Sequence, residues 1–173
     1  MKKLAIICTS AFSLINFRYE LISELNKKFS IDTFSEDKSQ NVIKKLKKIN
    51  VNSYSYGVKK GNFFVKQIIS LINLTRLLSF KKYRYDYYFV YTIRAILFCS
   101  FLNLNRSKVI FLVTGLGFLF KPKSKNYFLN SFKFTLTILL KLTLKKANLI
   151  VFQNKDDKNF FLKKKIIDKN KKV

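Results

Sequence analysis

Short apolar runs alternate with longer stretches in which apolar residues recur at helical spacing, from one end of the 173-residue chain to the other. The runs are Lys3 to Cys8, Ser30 to Phe34, Val51 to Ser55, Tyr87 to Tyr91, Lys108 to Val113 and Leu149 to Phe152. Their unbroken hydrophobicity suits strands buried on both sides, and helical stretches between them mean βα units. The pattern predicts an α/β fold, a parallel sheet of about six strands with helices on both faces.

The helical stretches differ in clarity. In the first, Phe17, Leu21 and Leu25 repeat along one face while Glu20, Glu24 and Lys28 line another and can support each other, with Asn16 or Ser13 able to cap its start. In the last, Asn154 is placed as N-cap, Asp156 and Asp157 fall in the first turn and Lys163 to Lys165 near the end, each charge matched to the helix dipole. Two long stretches, from about Asn62 to Phe80 and from about Asn126 to Lys146, are apolar and studded with cations. Either both cover the sheet, or one turns an apolar face with basic flanks to a membrane interface.

Neither is expected to cross a bilayer, since Lys66 and Arg76 interrupt one and Lys133 and Lys141 the other, and a span needs about 20 uninterrupted apolar residues. The start, MKKLAIICTSAFSLINF, imitates a signal peptide, but Thr9, Ser10 and Ser13 break its apolar run, which reads as a first strand. There is no internal repeat and no Gly/Ser linker, and the single proline is Pro122, so one domain is the natural count. The chain closes on IIDKNKKV, as though a further strand were beginning.

Composition sharpens this picture. The formal charge is +26, from 35 Lys+Arg against 9 Asp+Glu, which points to an anionic partner: nucleic acid, phospholipid or a phosphorylated substrate. Enrichment of lysine alongside Asn, Ile and Phe also fits the codon bias of an AT-rich genome, and the two explanations stay open. Cys8 and Cys99 stand in apolar surroundings without Cys-x-x-Cys spacing, which suits buried free thiols and a reduced, cytoplasmic setting.

Histidine is absent, which removes the Ser-His-Asp arrangement and most zinc sites; no metal ligand set and no cofactor is expected. Asp156 and Asp157 are adjacent on a helix, so they diverge by about 100° and cannot face each other as paired acid and base. No catalytic residue is assigned. The P-loop pattern does not occur. A dinucleotide fingerprint fails too, because Phe120 stands at the third glycine position after Gly115 and Gly117, and Leu136 to Leu140 run where an acidic partner belongs.

Thr114-Gly115-Leu116-Gly117 holds two of the chain's four glycines, after a buried strand and before a helix. That is the carboxyl edge of the sheet, where open α/β folds bind ligands and turned amides can receive an anion. A plain tight turn needs glycine as well, and the residues alone do not choose. Arg18 and Arg94 follow strands on the same edge, where a guanidinium can grip a phosphate; solvated surface arginine is the alternative.

Three segments together, Ser13-Leu-Ile-Asn-Phe-Arg18, Val113-Thr-Gly-Leu-Gly117 and Val151-Phe-Gln-Asn154-Lys-Asp-Asp157, resemble the amino-terminal domain of family 4 glycosyltransferases. The nearest branch builds bacterial polysaccharides or glycans on undecaprenyl diphosphate. The resemblance covers nearly the whole chain, in the correct order. It implies a Rossmann-like domain that forms the amino-terminal, acceptor-holding half of a GT-B fold. The nucleotide-sugar and a Glu-x7-Glu pair would belong to a carboxyl-terminal half, before which this chain ends, so by itself it is expected to lack the donor site and turnover.

By the same resemblance Arg18 opens the first helix, Thr114, Gly115, Leu116 and Gly117 line the cleft, Arg94 is the basic position after the fourth strand, and Gln153 and Asn154 are the polar pair after the last. Many relatives carry a histidine near Arg94, where this chain has Tyr91, Thr92 and Ile93. The implied partners are a lipid-linked or glycan acceptor, an anionic membrane surface at the inner membrane, and a separate donor-binding domain or subunit. The contrasting reading is a non-enzymatic basic α/β module binding anionic membrane or nucleic acid. It lacks an arginine-rich recognition helix and the aromatic pattern of an RNA-binding sheet, which argues against nucleic acid.

Overall fold

The structure is a computed structural model describing residues 1–59, 61–79, 85–102, 104, 107–115, 127–168 and 170–173. Strands β1 (Lys2–Ile7), β2 (Phe29–Ser35), β3 (Asn52–Ser55), β4 (Tyr87–Tyr91), β5 (Lys108–Val113) and β6 (Leu149–Phe152) alternate with helices. The helices are α1 (Ala11–Asn16), α2 (Tyr19–Asn26), α3 (Gln40–Lys47), α4 (Phe63–Ser79), α5 (Ile93–Phe98), α6 (Tyr127–Lys145) and α7 (Lys155–Lys163). The strands make one six-stranded parallel sheet in the order β3-β2-β1-β4-β5-β6, with the helices around it. Every strand lies within a residue or two of its expected position. The long apolar stretches are the helices α4 and α6; Phe80 and Asn126, their expected ends, fall outside the described residues.

The chain divides into two compact units. The first comprises Met1–Phe89 and Ser107. Its strands are in parallel register, Lys2 opposite Phe29 through Ile7 opposite Phe34, and Asp32 opposite Asn52 through Ser35 opposite Ser55. The four residues at the end of β1 are all buried, as a strand covered on both faces requires. An aromatic group extends this core: Phe34 stacks on Tyr54 at 5.4 Å, and Tyr85 meets Phe34 and Tyr88 edge-on at 5.9 and 5.7 Å. The Asp32 carboxylate beside it is satisfied, accepting from the Tyr85 hydroxyl at 2.7 Å and from Asn52 Nδ2 at 2.9 Å. Burial, with Asp32 adding to it, pushes the Tyr85 phenol well above its ordinary pKa.

The first helical stretch departs from expectation. It is two helices, broken where Phe17 and Arg18 leave helical backbone angles. The buried side carries Leu14 and Ile22, whereas Phe17 and Leu21 are exposed. A four-residue repeat shows that one stripe is apolar but not which stripe meets the sheet, and the break turns α2 so that Ile22 does. Neither Asn16 nor Ser13 caps the start: Ser10 is the N-cap residue, and the first amide of α1 is taken by a carboxylate distant in sequence, that of Asp37. Glu24 pairs with Lys27 at 2.7 Å, not with Lys28, and both partners are exposed, so the pair contributes little.

The second unit comprises Val90–Leu104 and Lys108–Val173. Here β5 and β6 run parallel, Ile110 opposite Leu149 through Val113 opposite Phe152, and α6 lies against α5. Phe111, Leu140, Leu144, Ile150 and Phe161 are fully buried or nearly so. The final residues continue the sheet's hydrogen bonding: the Ile150 amide donates to the Lys172 carbonyl at 3.1 Å, on a strand whose other side is β5. The last helix is built as its sequence predicts, with Asn154 Oδ1 accepting from the Asp157 amide at 2.7 Å.

Candidate functional site

In a parallel sheet every β-to-α turn falls on the same, carboxyl, edge. In the first unit the turns are tied to one another. The Cys8 amide donates to the Phe34 carbonyl at 2.9 Å, and the Cys8 carbonyl accepts from the Tyr56 hydroxyl at 2.8 Å. Tyr56 is among the largest fully buried side chains, so β1 and the loop after β3 are joined through the interior. Asp37, in the loop after β2, accepts from the Ala11 amide; its own carbonyl accepts from Ser35 Oγ at 2.8 Å. The amide that opens α1 is therefore occupied by the protein's own carboxylate.

Arg18 follows in this unit, at the break between α1 and α2, where its Nη1 donates to the Phe17 carbonyl at 2.8 Å. Phe12 on α1, Phe17 at the break and Leu21 on α2 are exposed, and Phe12 and Phe17 meet edge-on at 6.4 Å. A cation is thus bordered by open apolar surface.

In the second unit the turn after β4 is sharp. Thr92 caps α5 with φ of 76°, a left-handed backbone that is rare and strained for a β-branched residue. It brings Arg94 into the first turn of α5, exposed at the carboxyl edge. Nothing in the sequence marks Thr92 as a turn residue, because glycine or asparagine would be expected there.

After β5, Thr114 and Gly115 are half-buried; Gly115 has φ of 103°, and among the described residues nothing lies within 4 Å of where a side chain would begin. The glycine is required by its backbone conformation. Leu116 and Gly117 lie outside the described residues. The Gln153 amide reaches back to the Val113 carbonyl at 3.4 Å, so the exposed Gln153 stands beside Thr114 on adjoining strands. Asn154 is spent on its helix: besides capping, its Nδ2 donates to Asp157 Oδ2 at 3.1 Å.

The second unit thus holds Arg94, Thr114, Gly115 and Gln153 on β-to-α turns, and the first unit holds Arg18. Among the described residues no group of His, Cys, Asp and Glu could hold a metal ion. Both cysteines are buried free thiols, as expected; burial pushes Cys99 up to about 12, with Lys146 offsetting part of the shift. Asp37, Tyr56 and Thr92 were not legible as parts of these turns.

A six-stranded parallel sheet with helices around it defines a Rossmann-like α/β fold of the kind found in GT-B glycosyltransferases. The model of the family described as glycosyl transferase 4-like matches residues 7–154, and the chain belongs to that family. Among solved structures, a glycosyltransferase from Rickettsia africae is similar at 17% identity and TM-score 0.62, over 99% of this chain and 42% of that one. A UDP-N-acetylglucosamine 2-epimerase is similar at 15% and 0.60 over 99% of this chain and 45% of its own. MurG of Acinetobacter baumannii is similar at 10% and 0.55 over 100% and 44%. The chain therefore spans less than half the length of each. No curated protein sequence matches it.

Proposed function

We propose that the chain is the acceptor-binding half of a glycosyltransferase that moves a hexose or N-acetylhexosamine from a nucleotide-sugar to a lipid-linked or polysaccharide acceptor. The observation that carries this reading is the family match over residues 7–154, which runs from the end of β1 to the N-cap of α7 and takes in every candidate turn. The shared fold does not distinguish transfer from epimerisation, since one similar structure is an epimerase. Family membership favours transfer.

The chemistry of the turns agrees. Within the first unit, Arg18 beside exposed Phe12 and Phe17 suits an anionic group next to an apolar one; within the second, Arg94 with the Thr114 and Gly115 turn suits a sugar-phosphate. Gln153 adds a polar contact, and Asn154 holds its turn in place. Leu116 and Gly117 complete the cleft-lining loop in this reading. Stabilisation of the leaving nucleotide diphosphate, the main electrostatic task in such a reaction, falls in this reading to a donor-binding domain or subunit.

The test is binding of a short-chain polyprenyl diphosphate to the full chain, followed by calorimetry or NMR. Arg18→Gln and Arg94→Gln should each weaken binding about tenfold, the loss of one charge-assisted contact. Undiminished affinity in both variants overturns the assignment. Tight binding to single-stranded nucleic acid without binding of the prenyl diphosphate would favour a basic binding module instead.

A further inference from the structure

We propose that the outward face of α4 is a docking surface for an anionic phospholipid bilayer, with the helix lying in the plane of the headgroup boundary. The proposal stands whether or not the chain transfers sugar. Its first ground is an inverted polarity. Phe63, Phe64, Val65, Ile68 and Ile72 are 63, 60, 42, 59 and 44% exposed, and Phe64, Ile68 and Ile72 follow one another at four-residue spacing up to the exposed Arg76. Three uncharged polar residues turn the other way. Gln67 Nε2 donates to Glu36 Oε1 at 3.4 Å, Asn73 Nδ2 donates to the Tyr56 carbonyl at 3.1 Å, and Ser70 is fully buried beside Leu74. These contacts fix the roll of the helix, so its apolar line cannot rotate inward. A helix covered only by water shows the opposite arrangement, and a contiguous apolar face on the surface marks an interaction site.

The second ground is charge. From Gly57 to Tyr85 the sequence carries Lys59, Lys60, Lys66, Arg76, Lys81, Lys82 and Arg84 and no acidic residue. A second copy of this chain would set the same cations against each other, whereas an anionic leaflet supplies the complementary charge beside apolar depth. The helix's 17 residues extend about 25 Å, short of a hydrocarbon core of about 30 Å, and among the described residues no helix is long and apolar enough to cross a membrane. An in-plane position follows. The aromatic end of the line begins just after the carboxyl end of β3, the edge assigned above to a lipid-linked acceptor.

The chain has no tryptophan, so Phe64→Trp introduces a unique indole as a depth probe. With vesicles of phosphatidylglycerol and phosphatidylcholine its emission should shift to the blue and be quenched by brominated acyl chains; with phosphatidylcholine alone it should not. In co-sedimentation, the double variant Ile68→Asn and Ile72→Asn should lower partitioning at least tenfold with an unchanged circular dichroism spectrum, since both residues are exposed. Lys66→Glu with Arg76→Glu should lower it further at low salt than at high. The proposal is overturned if the asparagine variant binds as the parent does, or if only Phe134→Asn with Ile138→Asn on α6 abolishes binding. It is equally overturned if α4 instead mediates a dimer that the variant dissolves while vesicles go unbound.

Discussion

Gly57 shows how much one atom can matter at the edge of this sheet. The Glu36 carbonyl accepts both the Gly57 amide, at 2.9 Å, and Ser55 Oγ, at 3.1 Å. A β-carbon there would overlap that carbonyl oxygen and sit 2.7 Å from Glu36 Cγ. Gly57→Ala should therefore force the turns after β2 and β3 apart and cost on the order of 2 kcal/mol or more, read as a lower urea midpoint. Cys99 gives a prediction in pH. Its thiol ionises at about 12 in the folded chain, against 9.0 for the unburied group, chiefly because it is buried. Below the unfolded value the thiol is protonated in both states and stability does not depend on it; above that value the unfolded chain releases a proton the folded one keeps. Stability should then fall by about 1.4 kcal/mol per pH unit on this account as pH rises toward the folded value. Cys99→Ala should remove that part of the slope in urea titrations.

At the level of elements, local signals were readable and the choice of face was not. Strand positions and the cap of α7 follow from neighbouring residues: Asn154 reaches only three positions ahead to cap its helix, and the sequence contains all of that interaction. The burial of α2 depends on the sheet beneath it. Ile22 is fully buried and Leu21 is 42% exposed, although the four-residue repeat with Phe17 and Leu25 favours Leu21 as the inward residue. Ile22→Ala should cost about 2–4 kcal/mol and Leu21→Ala less than about 0.5 kcal/mol, and chemical denaturation of the two variants separates them. Equal losses would mean that α2 is turned differently. Likewise the cap of α1 comes from Asp37, which no reading of residues 10 to 16 could supply.

For the whole molecule, charge is the dominant fact. With 35 basic and 9 acidic residues the folded chain repels itself, and screening should relieve that repulsion. Raising sodium chloride from about 0.01 to about 0.5 M, which contracts the screening length from tens of ångströms to a few, should raise the melting temperature. A gain of about 1 kcal/mol corresponds to about 2–4 °C for a chain of this size. A melting temperature that falls with salt would show that attractive pairs outweigh the repulsion. The same excess is what an anionic leaflet or a diphosphate headgroup would neutralise.

The sequence by itself determined the α/β class, the six strands and the approximate span of the long helices, because strand and helix periodicities are local and strongly apolar here. It also placed Arg94, Thr114, Gly115 and Gln153 on turns after strands, since parallel βα units leave those turns a single edge. Tertiary structure alone decided the strand order β3-β2-β1-β4-β5-β6, the carboxylate of Asp37 on α1, the strained Thr92 that sets Arg94, and the outward roll of α4's apolar line. Each of these depends on contacts between residues far apart in the chain or on backbone angles that the residue type does not announce. That is the information a linear pattern lacks.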